Sequence, residues 1–189
     1  MPLLALEPFI HPETLLTAPS GEASPGTWWV LHTRPRAEKT VARRFLDGGV
    51  DFFLPLYHRQ WRNRGRTFRS YLPLFPGYVF LHGNADARLA ALETNLVVHV
   101  IPVDDQRQLV HDLTRVYRLL TSGEPVTPEE RLEAGDMVQI VKGPLTGLDG
   151  KVLKRGKQLR FVVEVRLLGQ AVSAEVESWM LEPLATGRA

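Results

Sequence analysis

A chain of 189 residues, 44% hydrophobic and 23% charged with a net charge of +2, holds enough material for one large domain or two small ones. No run of about 18 apolar residues occurs, which excludes an apolar spanning helix, and the opening MPLLALEPFIHPETLL lacks the basic start of a secretion signal. Cysteine is absent, so neither a disulfide framework nor a thiolate metal site can form, which fits a cytoplasmic protein.

The small net charge hides an asymmetry. Residues 1–26 total −3, residues 27–122 total +6 and residues 123–189 total −1. From Phe52 to Ala85 there is no Asp or Glu. An electropositive face of this kind attracts phosphate polymers.

Residues 1–26 are proline-rich and end in APSGEASPG, which predicts a disordered leader. TWWVLHT follows as a strand rich in aromatic and β-branched residues. RPRAEKTVARRFLDGG reads as a helix, because Ala37, Val41 and Phe45 recur at i, i+4, i+8 and Gly48-Gly49 stops it. VDFFLPLYHRQW is an extended run, RTFRSYL runs back from it, and GYVFLHG is a further core strand. Asn84 can cap a short helix, ADARLAALET, before the strand LVVHVI. Asp105 with Gln108 resembles a capping box opening a longer helix, with Leu109, Leu113, Val116, Tyr117 and Leu120 on one face. The order β-α-β-β-α-β-α predicts an α+β layer, an antiparallel sheet with helices packed on it.

TSGEPVTPEERLEA, with two prolines and four glutamates, marks a linker over 122–134. Beyond it the strands DMVQIVKG, GKVLKRG, LRFVVEVRLLG and AVSAEVE are separated by glycine-containing turns, which predicts a small β-barrel over 135–185. The expected organisation is therefore a leader (1–26), an α+β domain (27–121), a flexible linker (122–134) and a barrel. Helix propensity is weak throughout the barrel segment, so it is expected as a loosely tethered barrel with no helical form.

Nothing argues for catalysis. The histidines at 11, 32, 58, 82, 99 and 111 show no metal-ligand spacing, GPLTGLDGKV fails the phosphate-loop spacing, and no GxSxG elbow appears. No cofactor and no metal is expected.

The segment HRQWRNRGRTFRSY is more informative. If Arg64-Gly65 forms a two-residue hairpin loop, Trp61 lies opposite Phe68, Arg62 and Arg69 share the other face, and Arg59 and Arg66 flank the aromatics. Such a hairpin fits a solvated projection whose arginines only keep the protein soluble. It also fits a guide for nucleic acid, with guanidiniums on phosphates and aromatics under bases. In LFPGYVF, Pro76-Gly77 makes a turn and Phe75, Tyr78 and Phe80 can be core. Both faces of this strand are apolar, and a sheet with helices on one side needs a second cover, which points to a partner.

Three motifs, WWVLHTRPRAEKTVARR, PLFPGYVF and GDMVQIVKGPLTGLDGKV, resemble those of the NusG family of transcription elongation factors, the last being a KOW motif. The resemblance runs from Trp28 to Leu184 and implies an N-terminal NGN domain of ferredoxin-like fold and a C-terminal SH3-like KOW barrel. It implies a monomeric, cytoplasmic, non-enzymatic factor, with no membrane partner, that docks on the clamp helices of the largest RNA polymerase subunit. His32, Phe75, Tyr78 and Phe80 match the docking positions. Arg34, Arg36 and Arg44 match positions that contact DNA in specialised members. With Arg43 and the hairpin residues Arg59, Arg62, Arg64, Arg66 and Arg69 they would face upstream DNA and the displaced non-template strand. Leu145 and Leu168 match the barrel positions that receive Rho or a small-subunit ribosomal protein. TRPRAEK, FLPLY and the compact hairpin are closer to specialised antiterminators of the RfaH and UpxY type than to housekeeping members. The His-Thr-Thr polymerase contact of RfaH is replaced by ARLAAL around Arg88. The implied function is suppression of pausing and termination. The rival readings are a general elongation factor that terminates with Rho, and a free RNA-binding or ribosome-associated KOW module.

Overall fold

The computed structural model describes residues 7–17, 25–129 and 135–184. The chain divides into two compact units, Met1–Val110 and His111–Ala189, an α+β unit and a unit dominated by strands.

In chain order the first unit contains β1 (Ile10–His11), β2 (Thr27–Thr33), α1 (Glu38–Asp47), β3 (Asp51–Phe53), β4 (Leu56–Asn63), β5 (Arg66–Pro73), β6 (Tyr78–Gly83), α2 (Ala85–Glu93), β7 (Val97–Ile101) and the start of α3 (Gln106–Thr121). Five antiparallel strands lie in the order β1-β3-β6-β2-β7, and β4 and β5 form a separate hairpin. The run VDFFLPLYHRQW is thus two strands, divided at Leu54-Pro55.

Ala37, Val41 and Phe45 are buried, as their spacing predicts. The helix nevertheless begins only at Glu38, because Pro35 and a left-handed Arg36 (φ 63°) precede it. Its buried stripe packs with Leu31, Phe52, Val79, Leu81 and Ala91 on one face of the sheet. Each Leu, Val or Phe side chain among these contributes about 1.5–3 kcal/mol on burial. The Asn84 side chain accepts the Ala87 N–H at 3.0 Å, and Asp105 accepts that of Gln108 at 2.9 Å, so both predicted caps form.

The opposite face of the sheet, expected to lie open for a partner, is closed. Trp28, Val30, Phe53 and Phe80 are buried at 5, 0, 0 and 0% exposure. Phe80 meets Phe53 at 6.1 Å and Phe75 edge-on at 6.2 Å, and Phe53 in turn meets Phe9 at 6.4 Å.

Phe9 arrives from the segment expected as a disordered leader. Residues 7–17 instead carry β1, paired antiparallel with β3, and bury Ile10 and Leu16. The Phe9 carbonyl accepts the Leu54 N–H at 2.6 Å. Composition misled here because a few apolar residues suffice once an open strand edge is available. The rest of the expected leader up to residue 24 lies outside the described residues.

The second unit contains α3 from His111 onward, β8 (Val126–Glu129), β9 (Asp136–Ile140), β10 (Asp149–Arg155), β11 (Gln158–Val165), β12 (Gln170–Val176) and β13 (Leu181–Pro183), with 3-10 turns at Arg166–Leu168 and Ser178–Met180. Its six strands run β13-β9-β10-β11-β12-β8, all antiparallel. LRFVVEV is a strand, as its β-branched content predicts, with Phe161, Val163 and Val165 at 0% exposure.

The linker reading needs correction. Val126–Glu129 joins the sheet as edge strand β8 against β12, where Pro128, which has no N–H to donate, is tolerated. The division between units also falls inside α3, between Val110 and His111, rather than after residue 121. Beyond His111 a second row of the helix is buried, Asp112 (1%), Arg115 (7%) and Leu119 (0%). There Asp112 accepts the Arg166 N–H at 3.0 Å, Arg115 lies 3.8 Å from Asp149, and Arg118 donates to the Thr146 carbonyl at 2.7 Å. Periodicity of apolar residues alone assigns this polar row to solvent.

Candidate nucleic-acid interface and docking rim

The Pro76-Gly77 turn is clamped from both sides. Gly77 takes φ 85°, a left-handed conformation open to glycine. Its N–H donates to the carboxylate of Glu38 at 2.7 Å, and its carbonyl accepts the Thr33 N–H at 2.8 Å and the Thr33 hydroxyl at 3.4 Å. Glu38 is 6% and Thr33 2% exposed. The clamp sets Tyr78 against His32, its register partner, with ring centroids 5.3 Å apart.

Of the four expected docking residues, His32 is exposed and Tyr78 half-buried. Phe75 and Phe80, at 1% and 0%, form the hydrophobic floor of this face, their rings 6.2 Å apart. The expected hollow is therefore filled by its own rings, and the surface at this place is a His-Tyr rim. Glu38 and Thr33, which build that rim, escape sequence reasoning. A glutamate in the first helical turn reads simply as a complement to the helix dipole.

The hairpin forms as predicted. Trp61 pairs with Phe68, Arg62 with Thr67 and Gln60 with Arg69. Arg64 (φ 47°) and Gly65 (φ 75°) both have positive φ, the requirement of a type I′ turn. Asn is the usual first residue of such a turn, and an arginine there stores strain at the tip. Trp61 and Phe68 stack at 5.6 Å with an interplanar angle of 16° while remaining 40% and 38% exposed. Arg59, Arg62, Arg64, Arg66 and Arg69 are all exposed, and among the described residues none of them meets a carboxylate in an ion pair. Like charges within one hairpin with no internal counterion leave the potential available to an external anion.

The basic surface expected on the first helix is only partly free. Arg34 and Arg36 are exposed ahead of α1. Arg43 is instead neutralised by Glu7, with its Nε and Nη2 each 2.8 Å from a carboxylate oxygen. That fork–fork pair holds the Glu7 carboxyl below its ordinary range, chiefly through the side-chain hydrogen bond. Arg44 donates to the Thr94 carbonyl at 2.8 Å, which ties its guanidinium to the end of α2. The nucleic-acid reading thus shifts from helix to hairpin.

In the second unit Leu145 is 1% exposed and belongs to the interior, whereas Leu168 is half-buried. Neighbouring Leu167, at 42%, Trp179, at 59%, and Leu184, at 37%, are the exposed large apolar groups among the described residues of this unit. A 3-10 turn over Arg166–Leu168, which the sequence pattern did not reveal, decides which leucine faces out.

Among the described residues no helix is long and apolar enough to cross a membrane. No curated protein matches the chain. Solved structures similar to it include the following two. One, "Domain interaction in Thermotoga maritima NusG", is 21% identical over 85% of this chain and 98% of that one, with a TM-score of 0.49. The other, "Crystal Structure of MjSpt4:Spt5 complex conformation B", is 18% identical over 86% and 99%, with a TM-score of 0.28. The family profile described as "Transcription termination factor nusG" matches residues 26–134, which include the clamped FPGY turn and the arginine hairpin. With that match covering more than half of its length, the chain belongs to the NusG family of transcription factors.

Proposed function

We propose that the protein rides on RNA polymerase and suppresses pausing and termination, holding the displaced non-template DNA strand with its arginine hairpin. The observation that carries this reading is the hairpin itself: five exposed arginines with no carboxylate partner among the described residues, around an exposed aromatic stack. His32 and Tyr78 are the contact rim for the clamp helices of the largest subunit, and Phe75 and Phe80 keep that rim rigid from beneath. Arg34 and Arg36 supplement the hairpin toward upstream DNA. The protein works as a cytoplasmic monomer and performs no catalysis. The second unit brings in a further machine, Rho or a small-subunit ribosomal protein, at the raised effective concentration that a tether gives. Leu167 and Leu168 offer that partner its apolar contact.

A second reading, a general factor that acts in termination with Rho, is favoured by the description of the matched family. Pull-down of purified polymerase by the full chain and by Tyr78→Ala tests the rim. Crosslinking to the non-template strand by an Arg62→Ala/Arg69→Ala variant tests the hairpin. The expected results are lost pull-down in the first and retained polymerase but weakened crosslinking in the second. Undiminished crosslinking overturns the hairpin's role. Run-through of a Rho-dependent terminator on adding the protein supports antitermination, and earlier termination supports the second reading.

A further inference from the structure

The two faces of the hairpin differ. Side chains alternate along a strand, so Arg59, Trp61, Arg66 and Phe68 share one face, and Gln60, Arg62, Thr67 and Arg69 share the other. On the first face each aromatic has an arginine diagonally across the ladder, Arg66 for Trp61 and Arg59 for Phe68. Diagonal neighbours lie about 7–8 Å apart, within reach of long side chains. The second face carries Arg62 and Arg69 near the tip; its ring pair, His58 and Tyr71 at 5.5 Å, lies at the base of the hairpin and edge-on, with Tyr71 packed against the core.

We infer that the first face is a stacking platform for an unpaired base of single-stranded DNA, with Arg59 and Arg66 on the flanking phosphates, and that the tip of the second face is an electrostatic rail. This rests on the reading that the hairpin faces nucleic acid. An exposed indole and phenyl in parallel offer a flat apolar surface that solvent covers poorly and a nucleobase covers well. Bases inside a duplex have both faces occupied by their neighbours, so a platform of this kind favours the single strand. Its contacts to π-faces are tolerant of base identity. The occupant is a polyanion because the chain has no acid from Phe52 to Ala85 and the platform is bracketed by guanidiniums. An apolar protein surface would leave those charges unmatched.

The test uses the full chain and a fluorescein-labelled thymidine 12-mer, its duplex, the uridine 12-mer and a polyglutamate competitor, followed by anisotropy across a salt series. The single strand is expected to bind more tightly than the duplex. Trp61→Ala should weaken single-strand binding roughly 5- to 100-fold, as loss of one stacked base does, without altering the slope of log affinity against log salt. Trp61→Phe should restore most of the loss. Arg62→Ala should reduce that slope by about 0.7 on the single strand and by about 0.9 on the duplex, the values of one phosphate contact on each. A 2-aminopurine placed in the 12-mer should be quenched by the wild type and not by Trp61→Ala.

Equal losses on duplex and single strand, no loss in Trp61→Ala, tighter binding of the uridine strand, or competition by polyglutamate at equal charge would overturn the platform. Phe68→Leu serves as a second variant, and unchanged urea unfolding shows that each hairpin still stands on an intact unit. Polymerase pull-down is read separately. A chain that captures polymerase but fails these tests sinks the platform alone, whereas loss of capture without change in DNA binding sinks the docking rim alone.

Discussion

Replacing Glu38 with alanine tests how the His32–Tyr78 rim is built. The carboxylate accepts the Gly77 N–H at 2.7 Å from a site only 6% exposed. A hydrogen bond to a charged group contributes about 1.5–3 kcal/mol, and a first-turn acid adds about 0.3–1 kcal/mol against the helix dipole. Relief of the buried carboxylate's desolvation, with the better helix propensity of alanine, offsets part of this. The net loss should be about 2 kcal/mol, which at a urea slope of about 2 kcal/mol/M lowers the unfolding midpoint by about 1 M. Glu38→Gln keeps a neutral acceptor and should lose about half as much. Hydrogen exchange supplies the local readout: the Gly77 amide should lose protection in Glu38→Ala while amides of β2 and β6 keep theirs. A midpoint within about 0.3 M of wild type, with Gly77 still protected, would refute the clamp as the element that fixes Tyr78 against His32.

Other outcomes follow from the same geometry. Phe80→Ala should cost about 3–5 kcal/mol, as a deleted core ring does, whereas Tyr78→Ala, at the rim, should cost far less stability while abolishing polymerase capture; equal costs would contradict the floor-and-rim assignment. In the second unit a Cβ on Gly150 would stand 2.7 Å from the Phe161 ring and 2.7 Å from the Val162 carbonyl. Gly150→Ala should therefore lose at least about 1–3 kcal/mol to overpacking, more than Gly156→Ala, which meets nothing within 4 Å and bears only the left-handed backbone. The Glu7 carboxyl has its folded pKa lowered by Arg43. Its contribution to stability is thus present above the unfolded glutamate value, about 4.3, and is lost as pH falls through the lower folded value. Glu7→Gln should flatten urea midpoints across that acid range, and identical profiles for the two chains would discount the pair.

Much of this was legible in the chain. The Ala37/Val41/Phe45 spacing, the Asn84 and Asp105 caps and the Trp61–Phe68 register follow from short-range rules, in which the physics lies within a few residues of the pattern. What stayed hidden depends on distant segments. Arg43 looked free because Glu7 stands 36 positions away. Phe75 and Phe80 looked available because alternation counts apolar faces without saying which rings will fill them. Val126–Glu129 looked like linker because proline and glutamate oppose regular structure on average, yet an edge strand accepts both. Leu167 and Leu168 carry the same chemistry, and only the local turn decides which of them meets water.

The short pairing of residues 10 and 11 with β3 has a practical outcome for anyone trimming the molecule. Composition invites a cut just before Trp28. A protein shortened there would bare the outer backbone of Phe52–Leu54 and uncover the ring of Phe53, a free and greasy ribbon margin of the kind that zips onto its own copies. Such a fragment should self-associate more readily than the intact chain, so the unpromising first stretch acts as a selvedge that keeps the sheet from fraying into its neighbours.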